Sequence, residues 1–72
     1  MKKNDKKELA NYLNDEYLYD FYGVEEVEAE DLEETVSILW DHFPADEIED
    51  ICQECIEKFP AEKKYIEELF QL

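Results

Sequence analysis

A chain of 72 residues is the size of a single domain. Its 22 acidic residues against seven lysines and no arginine give a formal net charge of −15, which excludes direct binding to nucleic acid and to anionic lipid surfaces, because like charges repel. Its hydrophobic content of 44% is too high for a disordered acidic tail, and one Gly and two Pro leave little material for tight turns, so the expected fold is all-α, a compact bundle of three to four short, mostly antiparallel helices.

Residues 1–4 form a short basic tail that is expected to fray. Asp5 followed by Glu8 has capping-box spacing, which predicts a first helix over residues 5–22, closed by Gly23 in the left-handed position past its end. Leu9, Leu13, Tyr17 and Phe21 recur every four residues and predict its apolar face. Tyr12 and Tyr19 point away from that face, near Glu8, Asp15 and Glu16, with Tyr22 further round. Such a second aromatic set either covers a neighbouring helix or forms a contact surface.

Residues 24–30 read as an irregular connection that Val24 and Val27 tack to the core, with room for a short helical turn. Asp31 and Glu34 repeat the capping-box spacing and predict a second helix, whose face carries Leu32, Val36, Leu39, Trp40 and Phe43, with Trp40 at the bundle centre and Ile38 to one side. After Pro44 the pattern restarts at Ile48, Ile51, Cys52, Cys55, Ile56 and Phe59. The segment FPADE at 43–47 recurs as FPAEK at 59–63; each time Phe closes one helix and Pro opens the next, where its missing N–H costs nothing. A last helix over residues 60–72 turns Ile66, Leu69 and Phe70 inward.

Catalytic chemistry has little to stand on, and the chain is expected not to be an enzyme. Cys52 and Cys55 have the CxxC spacing, but both fall on an apolar helix face among acids, which raises a thiol pKa and disfavours redox work. They are expected to be reduced core thiols. A zinc site would need two further ligands, and His42 is the single histidine. Ser37, the single serine, is not placed to pair with His42 in a triad. No metal and no cofactor are expected. The lysine-rich start lacks the apolar core of a secretory signal, and no apolar run approaches the ~20 residues of a membrane span, so a cytoplasmic protein, of its own organism or of an infected cell, is expected.

The distribution of charge is the feature that points to function. All seven lysines lie at positions 2, 3, 6, 7, 58, 63 and 64, and the span from Glu8 to Glu57 holds 18 acids and no Lys or Arg. On the helix after Pro44, Asp46, Glu47, Asp50, Glu54 and Glu57 fall within a stripe about 100° wide. Carboxylates four residues apart on a helix are spaced by about 6 Å, comparable to the separation of phosphates along a nucleic-acid strand. A second cluster comprises Glu25, Glu26, Glu28, Glu30, Glu33 and Glu34.

In size, acidity and charge distribution the chain resembles small phage-encoded DNA-mimic inhibitors, including anti-restriction and anti-CRISPR proteins. That resemblance implies a non-enzymatic inhibitor that occupies the DNA or RNA site of a basic, nucleic-acid-handling protein such as a restriction enzyme or CRISPR effector. The expected partner surface combines the two acidic clusters with Tyr12, Asp15 and Tyr19. The alternative is an acidic adaptor, regulatory subunit, antitoxin or immunity protein that binds its partner mainly through apolar and Tyr contacts; a third reading is a small housekeeping bundle, alone or as a homodimer, whose charge serves solubility. The charge also carries a prediction about stability. Added salt screens carboxylate repulsion, so the melting temperature should rise from low to physiological ionic strength; a steady fall would show that specific ion pairs dominate.

Overall fold

The computed structural model describes residues 1–71, without the Tyr22 side chain, and Leu72 lies outside the described residues. It is an all-α bundle. The first helical stretch comprises α1 (Lys3–Leu13), a π-helical turn (Asn14–Leu18) and α2 (Tyr19–Tyr22). A connector ends in a 3-10 turn (Ala29–Asp31), which leads into α3 (Leu32–His42). α4 (Ala45–Lys58) follows directly, and a second 3-10 turn (Pro60–Glu62) opens α5 (Lys63–Phe70). The backbone spans 30 × 27 × 16 Å, a slab with much surface for its volume.

The core draws on α1, the π turn, the connector, α3, α4 and α5. Leu9, Leu13, Leu18, Leu39, Ile48, Cys55, Ile66 and Phe70 are fully buried, with Val27, Leu32, Val36, Ile51 and Cys52 beside them. On α3 the buried set is Leu32, Thr35, Val36 and Leu39, an i, i+3, i+4, i+7 stripe. Thr35 answers for its buried hydroxyl by donating to the Asp31 carbonyl at 2.9 Å. Leu39, not Trp40, is the buried centre of this helix. Trp40 lies about 80° round from Leu32, at the margin of the stripe, and is 37% exposed. Its indole N–H donates to the Phe70 carbonyl at 3.2 Å, a partner for a carbonyl at the end of α5. Ile38, Phe43, Ile56, Phe59 and Leu69 pack half-buried round the rim.

The first helix departs from its expected face for a definite reason. The π turn inserts one extra residue, so the buried position after Leu13 falls five residues on, at Leu18. Tyr17 is left half-buried and Phe21 is 60% exposed, contrary to the four-residue spacing. Gly23 takes the left-handed position expected of it, with φ 69°.

Neither expected capping box forms: α1 and α3 have no side-chain cap. Asp5 lies inside α1, which already begins at Lys3, and Asp31 closes a 3-10 turn. Residues 1–4 have defined places in the structure, with Lys3 and Asn4 already in α1. Met1 packs against the core, and its ammonium lies 3.5 Å from Glu62. Both proline junctions match the sequence reading, with Pro44 immediately before α4 and Pro60 first in its 3-10 turn.

The connector is held by asparagines. Asn11 Oδ1 accepts from the Val27 N–H at 2.8 Å while its Nδ2 donates to the Val27 carbonyl at 2.7 Å. Asn14 Nδ2 donates to the Val24 carbonyl at 2.6 Å. Val27 is thereby seated in the core, and Val24 stays at the surface.

The core assignment separates two neighbouring residues. Leu39→Ala should cost about 2–5 kcal/mol, whereas Trp40→Phe, which removes one N–H from a half-exposed ring, should cost about 0.5–1.5 kcal/mol. Chemical denaturation measures both, and the reverse order would place Trp40 at the centre after all.

Candidate partner-binding surface

α4 runs for 14 residues without interruption, with Ile48, Ile51, Cys52 and Cys55 buried on one side. Asp46, Glu47, Asp50, Glu54 and Glu57 are all exposed on the other. Among the described residues no ion pair involves any of these five. Asp46 and Glu47 also lie in the first turn, where the helix dipole favours negative charge. From Asp46 to Glu57 the row rises about 16 Å.

The second cluster is arranged differently. Lys7 Nζ lies 2.7 Å from Glu26 and 3.7 Å from Glu28, so a cation already answers part of it. The Glu26 bond holds the Lys7 pKa above its ordinary value and the Glu26 pKa below. Glu25, Glu30, Glu33 and Glu34 are exposed, but they are spread over the connector, the 3-10 turn and the start of α3. They therefore lack the regular spacing of a single helix.

Tyrosines stand at the edge of the α4 row. Glu54 Oε2 accepts hydrogen bonds from Tyr12, at 3.1 Å, and from Tyr17. Burial, followed by the bond to this carboxylate, raises both phenol pKa values, further for Tyr17. Both hydroxyls therefore stay protonated at neutral pH and hold Glu54 in place. Tyr12, Tyr17 and Phe43 form an edge-to-face row with centroid separations of 6.3 and 6.1 Å. Lys58 Nζ sits 4.6 Å from the Tyr12 ring centroid. Tyr17 and Phe43 together with Glu47, Asp50, Ile51 and Glu54 of α4 line an open groove of about 190 Å³.

The sequence reading thus needs correction at Tyr17, expected on the core face and found half-buried beside Glu54. Of the two roles open to Tyr12, covering a neighbouring helix is the one observed, since its hydroxyl reaches Glu54 on α4. Tyr19 is 73% exposed, and Asp15 is exposed too. Tyr17, Phe43 and Ile51, first read as core alone, line the groove. The placing of Phe43 just before α4, four residues ahead of Glu47, with Asp50 and Glu54 following on the helix, was the available signal for it. Tyr17 had none, since only the π turn carries it there.

Among the described residues no three His, Cys, Asp or Glu side chains converge as metal ligands, and no helix is long and apolar enough to cross a membrane. His42 is exposed and stacks on Phe21 at 4.6 Å. No protein family, curated protein or solved structure shows significant similarity to this chain.

Cys52 and Cys55 are buried free thiols. Burial, reinforced by the charges of Glu67 and Glu49, raises the Cys52 pKa. Burial, then the neighbouring Cys52 and Glu54, pushes Cys55 from 9.0 up to about 12. A thiol whose pKa is raised on folding adds stability below its unfolded pKa and loses it as pH climbs through the folded value. Stability should therefore fall from about pH 9 towards pH 12, and Cys55→Ala should flatten that decline. Urea denaturation at a series of pH values tests this, and an unchanged slope in the variant would remove Cys55 as a cause.

Proposed function

We propose that this protein is a non-enzymatic inhibitor that presents the α4 carboxylates as a phosphate-like row to a basic, nucleic-acid-handling protein. It would occupy the site where that target's Lys and Arg residues await DNA or RNA. The observation that carries this reading is the row itself: exposed carboxylates on one uninterrupted helix, with no ion pair among the described residues. A regular helix keeps those charges in register, so the row is organised before binding. Attraction between the row and a basic cleft speeds encounter and makes it salt-sensitive. Restriction enzymes and CRISPR effectors are target classes with such clefts, consistent with the resemblance to phage-encoded inhibitors.

A second reading, an adaptor that binds through apolar contacts, is favoured by a different feature. Tyr19 and Phe21 expose aromatic rings at the end of the first helical stretch, and aromatic residues are enriched in interfaces.

Neutralising Asp46, Asp50, Glu54 and Glu57 separates the two. Each single change to Asn or Gln should weaken target binding by about 0.2–1 kcal/mol. All four together should slow association far more and flatten its dependence on ionic strength. The target is retrieved by affinity capture from the native host, and duplex DNA or RNA should displace the inhibitor from it. Wild-type association by the folded quadruple variant, with binding abolished by Tyr19→Ala and Phe21→Ala, would replace the mimic with the adaptor.

A further inference from the structure

From the groove beside α4 we infer that one arginine side chain of the partner inserts between Phe43 and the carboxylates of Glu47 and Asp50, and that this contact gives the acidic row its register. The inference rests on the proposed reading, with the arginine as one of the target's phosphate-binding residues.

A charged row alone attracts any cation at any position along it. The groove is different because it sets an aromatic wall beside the acids. Tyr17 and Phe43 form that wall, while Glu47, Asp50 and Glu54 stand at i, i+3 and i+7 along α4 with the buried Ile51 between them. The three acids cover about 10 Å of helix. Glu54 is held by two tyrosine hydroxyls that both reach Oε2, so the far end of the groove is already ordered.

The protein's own lysine shows which chemistry the aromatic row that includes this wall accepts. At the Tyr12 end of the aromatic row, the Lys58 ammonium lies over the ring, and Tyr12 itself bonds Glu54. At the Phe43 end the same elements recur, an aromatic ring beside carboxylates, and no lysine is recorded over the Phe43 ring or paired with Glu47 or Asp50 among the described residues. A cation from the partner completes that end.

Arginine suits the groove better than lysine. Its guanidinium is planar, so it stacks on an aromatic ring while its edge donates two hydrogen bonds to a carboxylate. It is also more weakly hydrated than an ammonium, so less is lost on leaving water for an apolar wall. A larger groove of about 490 Å³ lies between α3 and α5, bordered by Glu33, Trp40 and Glu68. It lies off the α4 row and serves as an internal control.

The test titrates the full-length, isotope-labelled protein with three blocked tripeptides, acetyl-Ala-Arg-Ala-amide and its lysine and citrulline counterparts, and follows backbone amide shifts. The arginine peptide should shift Tyr17, Phe43 and Ile51 saturably, about two- to fivefold more tightly than the lysine peptide. The uncharged citrulline peptide should leave them unmoved. Glu47→Gln with Asp50→Asn, both exposed positions, should abolish the groove shifts, while Glu33→Gln with Glu68→Gln should not. Phe43→Leu keeps the apolar bulk and should reduce arginine binding to the lysine level.

Shifts spread evenly over all the acidic surfaces, equal binding of the arginine and lysine peptides, or groove shifts that survive the Glu47/Asp50 pair would each overturn the inference. The native target keeps the two ideas apart. If the four-charge variant loses inhibition while Phe43→Leu and Glu47→Gln retain it, the arginine seat fails and the mimic stands. If the arginine peptide seats as described but nucleic acid does not displace the protein from its target, the mimic fails and the seat stands.

Discussion

The bundle depends on the carboxamide of Asn11. After Gly23 the chain has no regular structure until Ala29, and in that interval it must return across α1 before α3 can pack. A β-sheet or a tight turn would satisfy the backbone groups of such a segment, but this chain has a single glycine and no strand among its described residues. Asn11 answers both the N–H and the carbonyl of Val27, as a neighbouring strand would, and Asn14 answers the carbonyl of Val24. An unmade bond to a half-buried backbone group is costly. The two asparagines therefore decide where Val27, Ala29 and Leu32 enter the core, and with them the position of α3.

The fold also sorts the few cations. Lys7 pairs with Glu26 and Glu28 beside the connector. Lys6 lies over Tyr65 and Lys58 over Tyr12, while the terminal ammonium approaches Glu62. Apart from Lys58, which stands at the end of α4, these contacts gather positive charge where the chain ends and the connector meet the bundle. The exposed side of α4 is left with carboxylates in helical register. The asymmetry between a partly answered connector cluster and an unanswered α4 row is what gives the surface a direction.

The π turn joins fold and surface. By advancing the buried face one residue, from Tyr17 to Leu18, it frees Tyr17 to reach Glu54 and to meet Phe43 edge-on. One local irregularity therefore supplies both a core leucine and one wall of the groove. Such turns insert a residue into a regular helix and commonly accompany functional sites. Here the extra residue lets two apolar side chains serve different neighbours.

Much of this was legible in the residues alone. The stripe from Leu32 to Leu39, the restart at Ile48, the proline junctions, the left-handed Gly23 and the exposed acids of α4 all follow from local periodicity and local backbone preference. Those depend on neighbours within a turn or two along the chain. What the sequence could not convey depended on partners far away in it. Asp5 has capping spacing, yet α1 already begins at Lys3; Asp31 does stand immediately before α3, but the connector folds into a 3-10 turn there and its side chain makes no cap. Trp40 belongs to an apolar stripe, but its place at the margin follows from what α5 presents to it, the Phe70 carbonyl. Tyr17 keeps a perfect four-residue interval from Leu13, and only the π turn removes it from the core. Sequence spacing thus determined which faces are apolar or acidic; tertiary packing decided which member of each face is buried, because burial is a relation between helices that no single helix contains.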